Sequence, residues 1–288
     1  MPVFASVGRG AATAFRKPRI LLVLYLANLG FALLVAWPFY ALAKADLGHS
    51  LLGRNLQSLD FVWLGDLVYR YRSPAPALAP WLLGPLLAYA VLSVFLSGGT
   101  IGRLLDPEGK TTARPFFSDC GRYFGRFFRL FLLAVPFYFL ALGALPAALF
   151  ALFEPLDEKA RTAWTPFGLT LGRTVLALLA LSVVHMVFDY ARIHAVTEDE
   201  PAALRSLRAA LRFLGRRFFR SWGLYLAIAS GFLAGTAAAA TLAGLRPGEA
   251  LFFAGAAVLG MQLYIVFRLW TRMVFFAAQA DFYRSAHP

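Results

Sequence analysis

Titratable side chains recur at helical spacing near residue 190. His185 and Asp189 are four residues apart, Arg192 follows Asp189 by three, and His194 comes two residues later. Side chains three or four apart share one face of a helix. A histidine and a carboxylate on one face could relay protons near neutral pH or supply two ligands to a metal. We favour a simpler interpretation, an Asp189–Arg192 ion pair at a helix end with His185 hydrogen-bonded between helices.

Two further charges interrupt the last apolar block of the chain, Arg268 and Arg272, four residues apart. If the block enters the membrane near residue 249, both arginines reach the inner interface and extend their charged heads to water. If it enters later, both are buried and need acidic partners, and Asp189 is a plausible one. We therefore predict a polar cluster on the cytoplasmic side, formed by His185, Asp189, Arg192, Arg268 and Arg272.

No pattern of a known catalytic or cofactor site occurs in the sequence. The glycine-containing stretches GRGAATAF (8–15) and SGGTIGR (97–103) follow no predicted strand, so neither is a phosphate-binding loop. The single cysteine, Cys120, excludes an intrachain disulfide. We predict a non-enzymatic protein without a catalytic, metal or cofactor site.

Long apolar blocks separated by charged segments place the chain in a membrane. Hydrophobic residues make up 60% of the sequence, and its mean hydropathy is +0.65. About 20 apolar residues form a helix that crosses a bilayer core of about 30 Å. The sequence predicts an all-α fold in one membrane domain, 1–288, with six transmembrane helices at about 20–43, 78–101, 127–153, 167–188, 222–245 and 249–270.

The first block could also be a secretory leader, because a basic flank precedes it and ALA at 41–43 resembles a cleavage site. Its apolar stretch far exceeds the roughly 7–15 residues of a signal core. We therefore favour a retained membrane anchor, and the cleaved alternative stays open.

The basic residues alternate between the two sides of the predicted helices. Of the 28 lysines and arginines, 20 lie in one set of alternate segments and 7 in the other. Cytoplasmic segments of bacterial inner-membrane proteins carry this excess. We predict a multi-pass protein of the bacterial inner membrane with both termini in the cytoplasm. The net charge of +13 then reflects membrane orientation, and we predict no nucleic-acid partner.

Two basic-aromatic stretches share a pattern, GRYFGRFFR at 121–129 and RFLGRRFFR at 212–220. Shifted by 90 positions, four of the seven residues at 122–128 are identical to those at 212–218. Each stretch precedes an outward-going helix on the basic side. We predict an internal duplication of the second and third helices in the fourth and fifth, each copy containing a basic amphipathic helix in the membrane interface.

The second copy has the clearer helical signals. Thr197 and Glu200 have the spacing of a capping box, and Pro201 suits a first helical turn. A row of apolar residues lies beside a row of arginines, as in helices that lie in the interface; the apolar row is Leu204, Leu207, Leu211, Leu214 and Phe218. We predict that anionic headgroups contact Arg122, Arg126, Arg205, Arg208, Arg212 and Arg216. The simpler alternative is that these arginines only fix the orientation in the membrane.

The fifth apolar block contains small residues at every fourth position, including the G-x-x-x-G pair Gly231 and Gly235. Such pairs let two helices approach closely. We expect this contact inside one copy of the protein, and the alternative is a dimer interface.

The segments RKPRILLVLYLANLGFALLVAWPFYAL and DYARIHAVTEDEPAALRSLRAALRFL resemble a loose group of uncharacterised bacterial six-helix integral membrane proteins. These are similar to the membrane domain attached to some glycerophosphodiester phosphodiesterases. The resemblance covers most of the chain and implies architecture alone, with no activity and no functional residue.

Three hypotheses for the function follow. We favour a scaffold, an accessory subunit with a protein partner, or a lipid-interacting domain. The alternative is a small-molecule or lipid transporter, and the third is a membrane enzyme acting on lipids.

Overall fold

In the computed structural model, residues 3–47, 75–106, 112–158, 162, 164–244 and 251–286 are described. Every regular element among them is a helix, as predicted. The helices are α1 (Val3–Phe15), α2 (Pro18–Leu47), α3 (Ala75–Leu105), α4 (Ala113–Phe139), a π-helical segment (Leu140–Ala144), α5 (Leu145–Glu158), α6 (Trp164–Thr197), α7 (Ala203–Gly244) and α8 (Leu251–Ala286).

Six helical stretches among the described residues are long and apolar enough to cross a membrane, which confirms the predicted number. They are Pro18–Trp37, Leu83–Leu105, Ala113–Pro155, Trp164–Thr197, Ala203–Thr241 and Val258–Ala286. The third and fifth begin earlier than the predicted spans, because both basic-aromatic stretches are helical and continue into the apolar segments. Positions 245, 249 and 250 of the predicted spans lie outside the described residues.

The chain forms two compact units. Unit 1 comprises Met1–Pro18, Val94–Gly235 and Trp270–Pro288, and unit 2 comprises Arg19–Ser93 and Thr236–Leu269. The single domain expected over 1–288 stays a prediction.

The core of unit 1 follows from the spacing of buried residues on α4. Phe116, Cys120, Tyr123, Phe127 and Leu130 are buried, and steps of three or four residues place them on one face. This part of the chain packs against α6. Lipid tails are as apolar as these side chains, so close packing rather than escape from water favours the contact.

Glycines bring α3 and α4 together at a site that the sequence analysis missed. A Cβ atom on Gly99 would lie 2.5 Å from the Sγ atom of Cys120 and 2.6 Å from the carbonyl oxygen of Phe116. Gly98 and Gly102 form a G-x-x-x-G pair on the same helix and also lie against α4. The SGGTIGR stretch therefore serves helix packing.

The expected packing role of Gly231 is wrong for the described part of the chain. A Cβ atom there would have no neighbour within 4 Å. Among the described glycines, close approaches occur instead on α3 and at Gly10 of α1, where an added Cβ would lie 2.6 Å from the Ala278 backbone nitrogen.

The third candidate span contains a break in its helical geometry. Pro136 lies inside α4, and the π-helical segment Leu140–Ala144 follows one turn later. Proline lacks the N–H group that an α-helix interior requires. Helix α5 resumes at Leu145, so Ala113–Pro155 forms one long helical stretch with an irregular turn inside it.

In unit 2, polar side chains join helices within the apolar region. The Tyr25 hydroxyl donates a hydrogen bond to the Gln262 Oε1 atom at 2.8 Å. The Tyr89 hydroxyl donates to the Asn28 Oδ1 atom at 2.6 Å. Such bonds satisfy polar groups that lipid cannot satisfy.

Candidate functional site

The predicted ion pair at the end of α6 is confirmed. The Asp189 Oδ1 and Arg192 Nη1 atoms lie 3.2 Å apart, and the two side chains are 9% and 13% exposed. His185, one turn earlier, has an exposed side chain. Its ring lies edge-on to the Tyr138 ring, with centroids 5.3 Å apart. The contact found for His185 is therefore aromatic, in place of the hydrogen bond that we expected.

Of the other predicted members of the polar cluster, Arg272 lies within electrostatic range of His185 and Tyr138. The Arg272 guanidinium lies over the Phe276 ring, 5.9 Å from its centroid. Arg268 is exposed and belongs to unit 2, whereas Asp189 belongs to unit 1. The Asp189–Arg192 pair is thus confirmed and Arg272 lies near His185, whereas the full cluster of five residues stays a prediction.

The metal alternative for this region finds no support in the described residues. No group of three His, Cys, Asp or Glu side chains that could hold a metal ion occurs among them. An Asp189–Arg192 ion pair also engages the one carboxylate that a His185–Asp189 site would use.

Two arginines of the first basic-aromatic stretch form ion pairs with one carboxylate of the protein itself. The Asp199 carboxylate accepts a hydrogen bond from Arg126 at 2.6 Å and one from Arg122 at 2.9 Å. These contacts, the Arg126 bond first, hold the pKa of Asp199 below its usual value. Both arginines were predicted to contact lipid headgroups, and each has a protein anion beside it.

Asp199 reaches this position through an unusual backbone conformation. Its φ angle is +47°, in the left-handed region. Asparagine and aspartate adopt this region more readily than other residues with a side chain. Residues 198–202 thereby reverse the chain between α6 and α7.

The predicted capping box at Thr197 is wrong. Helix α6 continues through Thr197, which therefore cannot be the first residue of the next helix, and α7 begins at Ala203. The Ala202 backbone N–H donates to the Glu200 Oε1 atom at 3.0 Å. Glu200 thus accepts a hydrogen bond from the backbone just before α7, but it lies in the turn and not in the first turn of the helix.

The first half of α7 has three distinct faces. Small side chains face the core, with Ser206 and Ala210 fully buried. Leu204 and Leu211 are 55% and 51% exposed on a second face. The third face carries the exposed arginine row Arg205, Arg208, Arg212 and Arg216. Leu214 belongs to the core, being 3% exposed, so the leucine face is shorter than predicted.

A basic groove lies between the last turns of α6 and α8 and the middle of α7. Its volume is about 330 Å³, and its lining is His194, Ala209, Arg212, Phe213, Arg216, Arg217, Tyr283 and Ala286. All of these residues belong to unit 1. Among the described residues, the lining contains three arginines and no carboxylate.

A kink in α7 shapes this groove. Arg217 departs from helical geometry, with φ −138° and ψ 28°. Its Nη2 atom donates to the Ala286 carbonyl oxygen at 3.4 Å, and its guanidinium lies 5.9 Å from the Phe213 ring centroid. The cation is therefore held between the end of α8 and an aromatic ring. In contrast, α4 passes through the equivalent stretch without a kink.

The chain matches no protein-family model, no curated protein and no solved structure.

A second set of charged contacts, which was not predicted, lies at the C-terminal end of α3. Arg103 pairs with Asp119 at 2.6 Å, with side chains 16% and 13% exposed. Lys17 donates to the Arg103 and Asp106 carbonyl oxygens, and burial lowers its pKa. Cations suit the carbonyl-rich end of a helix. These contacts hold unit 1 together, and no spacing within one sequence segment could have revealed them.

Proposed function

We propose that this protein is a non-enzymatic, lipid-interacting protein of the bacterial inner membrane, with the first half of α7 lying in the cytoplasmic interface. The supporting observation is the exposed Leu204 and Leu211 face beside the exposed arginine row of Arg205, Arg208, Arg212 and Arg216. An exposed leucine face suits acyl chains, and the adjacent arginines suit anionic headgroups.

The energetics of such a helix favour anionic membranes. Each basic residue near an acidic leaflet contributes about 1 kcal/mol of attraction. The fully buried Ser206 and Ala210 fix the opposite face of α7 against the protein. The protein core thus fixes the orientation of the helix before a lipid binds. Its leucine face and its arginine face stay exposed and can contact lipids.

The orientation and the architecture belong to the same proposal. The excess of Lys and Arg in alternate segments supports cytoplasmic termini. The resemblance to the membrane domain attached to some glycerophosphodiester phosphodiesterases supports the six-helix architecture alone. A scaffold or accessory subunit would use the same interfacial helix to set its place in the membrane.

Lipid selectivity tests the proposal. The protein is reconstituted in nanodiscs of phosphatidylcholine with phosphatidylglycerol, and the lipids retained after mild extraction are counted by native mass spectrometry. The variant replaces Arg205, Arg208, Arg212 and Arg216 by Gln, and the control replaces the same four by Lys. We expect the Gln variant to lose more than about tenfold in preference for phosphatidylglycerol, and the Lys control to keep most of it. Equal preference in all three proteins would reject the proposal.

A transporter of small molecules or lipids is the second candidate. The π-helical segment Leu140–Ala144 favours it, because irregular turns inside membrane helices often occur at functional sites. The test is transbilayer movement of a fluorescent phospholipid analogue in proteoliposomes. Movement faster than in protein-free vesicles would favour this candidate over a purely lipid-binding role.

A further inference from the structure

We propose that the basic groove of α6, α7 and α8 binds a phosphate monoester, supplied by the headgroup of an anionic lipid such as phosphatidic acid. This inference rests on the proposed lipid-interacting function and assigns one specific binding site within it. The residues that would hold the phosphate are Arg212, Arg216 and Arg217, with His194 on the opposite wall.

The two basic-aromatic stretches carry the argument, because they hold the same arginines in different surroundings. Arg122 and Arg126 occupy the positions that Arg212 and Arg216 occupy 90 residues later. In the first stretch, this pair of arginines binds the Asp199 carboxylate at 2.9 and 2.6 Å. An arginine pair four residues apart on a helix can therefore bind one oxyanion in this protein.

In the second stretch, the described residues supply no such carboxylate. Neither Arg212 nor Arg216 forms an ion pair with a described residue, and no acidic side chain lines the groove. A third cation, Arg217, is added where the first stretch has Phe127. The first arginine pair binds a carboxylate of the protein itself. The arginines of the second stretch have no such carboxylate among the described residues, so they are suited to binding the anion of a ligand.

Part of the groove has a fixed conformation before a ligand binds. Arg217 is fixed by the Ala286 carbonyl oxygen and the Phe213 ring. The small residues Ala209 and Ala286 leave space between the larger side chains. Guanidinium groups bind phosphate oxygens through paired, charge-assisted hydrogen bonds. A fixed guanidinium loses less freedom when it binds, which favours affinity.

The three arginines of the groove favour a phosphate monoester over a phosphodiester. Three guanidinium groups in one groove repel each other, and an anion with more than one charge relieves more of this repulsion. A phosphate monoester carries about −1.5 to −2 charges at pH 7, whereas the phosphodiester of phosphatidylglycerol carries one. Zwitterionic headgroups add a cation that the arginines would repel. The groove therefore favours a monoester.

The position of the groove favours a lipid over a soluble phosphate ester. Arg212 and Arg216 belong both to the groove lining and to the exposed row. The exposed Leu211 directly precedes Arg212 on the adjacent face of α7. A ligand that carried acyl chains could place its phosphate in the groove and its chains along the leucine face. A soluble ester would use the groove alone.

Paired variants on the same helix provide the test. Native mass spectrometry measures binding of phosphatidic acid, phosphatidylglycerol and neutral phosphatidylcholine to the purified protein in mild detergent. The groove variant is Arg212→Gln with Arg216→Gln. The matched control is Arg205→Gln with Arg208→Gln, which removes the same charge from the same exposed row but outside the groove. Thermal unfolding checks that both variants are folded, which their exposed positions favour.

We expect the wild-type protein to bind phosphatidic acid more tightly than phosphatidylglycerol. The control should lose affinity for both lipids alike, because it removes two of the headgroup-binding arginines, and should keep the preference for phosphatidic acid. The groove variant should lose about tenfold or more in affinity for phosphatidic acid, in line with the loss of charge-assisted hydrogen bonds. Equal losses in the two variants would overturn the groove site but leave the interfacial function standing. Absence of any preference for anionic over neutral lipid would overturn both.

The soluble probe sn-glycerol 3-phosphate separates the two sources of the phosphate. It carries the same monoester without acyl chains. We expect it to displace phosphatidic acid only at concentrations far above those of the lipid. Binding of this probe as tight as that of the lipid would overturn the assignment to a lipid headgroup and would assign the groove to a soluble phosphate ester.

Discussion

The carboxylate of Asp199 lies 2.6 Å from the Nη1 atom of Arg126, although the two residues are 73 positions apart in the chain. The contact joins the first basic-aromatic stretch to the turn before α7, the helix that contains the second stretch. The left-handed backbone of Asp199 makes it possible, with φ +47°. A strained residue thereby links the two halves of the apparent repeat.

Asp199→Asn is expected to weaken this link in a pH-dependent way. Arg126 and then Arg122 lower the pKa of Asp199 in the folded protein. Such a carboxylate stabilises the fold above its ordinary pKa of 3.8, and the contribution is lost as pH falls through the lower folded value. Thermal unfolding should show a deficit in the Asn variant at about pH 6 that shrinks at about pH 3. An equal deficit at both values would contradict a role for the charge.

Gly99→Ala is expected to destabilise the contact of α3 with α4. The added Cβ would meet the Phe116 carbonyl oxygen at 2.6 Å, and a backbone atom cannot easily move away. Overpacking of this kind costs about 1–3 kcal/mol. Gly84→Ala on the same helix is the control, because its Cβ would meet nothing within 4 Å. A shift of unfolding temperature that is the same for both variants would show that the close approach is unimportant.

Asp119→Asn is expected to destabilise unit 1 strongly, because it leaves Arg103 in a mostly buried position without its closest anion. Loss of one partner of a buried pair costs about 3–5 kcal/mol. The double variant Arg103→Met with Asp119→Leu should recover much of the loss, since it removes both charges. Asp281→Asn, which breaks the more exposed pair with Arg9, should have a smaller effect in the same unfolding assay.

Asp189→Asn is expected to lower the yield of folded protein. It removes the anion that lies 3.2 Å from Arg192 in a mostly buried pair. The measurement is the monodisperse fraction in size-exclusion chromatography after expression, with His185→Gln as a control at an exposed position one turn away. Normal yield together with altered lipid movement would instead assign Asp189 a direct functional role.

The sequence predicted the membrane helices well, because lipid imposes a simple rule on them. A helix must satisfy its own backbone and present apolar side chains over about 20 residues. Six such blocks could be read from the sequence alone, and six helices of this kind occur in the part of the chain that the structure describes. The Asp189–Arg192 pair could also be predicted, since both residues lie on one helix at a fixed spacing.

Contacts between distant segments could not be predicted in this way. Nothing in the local sequence indicates that Asp199 faces Arg126, or that Gly99 is closely packed whereas Gly231 is not. The basic groove likewise depends on a kink at Arg217 that aligns α7 with the end of α8. The same short pattern gives a straight helix in α4 and a kinked one in α7, so tertiary contacts decide its outcome.

The depth of α7 in the membrane tests the central proposal most directly. Nitroxide labels are attached in nanodiscs to single cysteines at Leu204, Leu211, Arg208 and Arg212, in a Cys120→Ala background that removes the one native cysteine. Accessibility of each label to oxygen and to a water-soluble nickel complex then reports its depth. We predict that labels at the two leucine positions favour oxygen and lie among acyl chains, whereas labels at the two arginine positions lie at headgroup depth. Full access of all four labels to the nickel complex would contradict an interfacial α7.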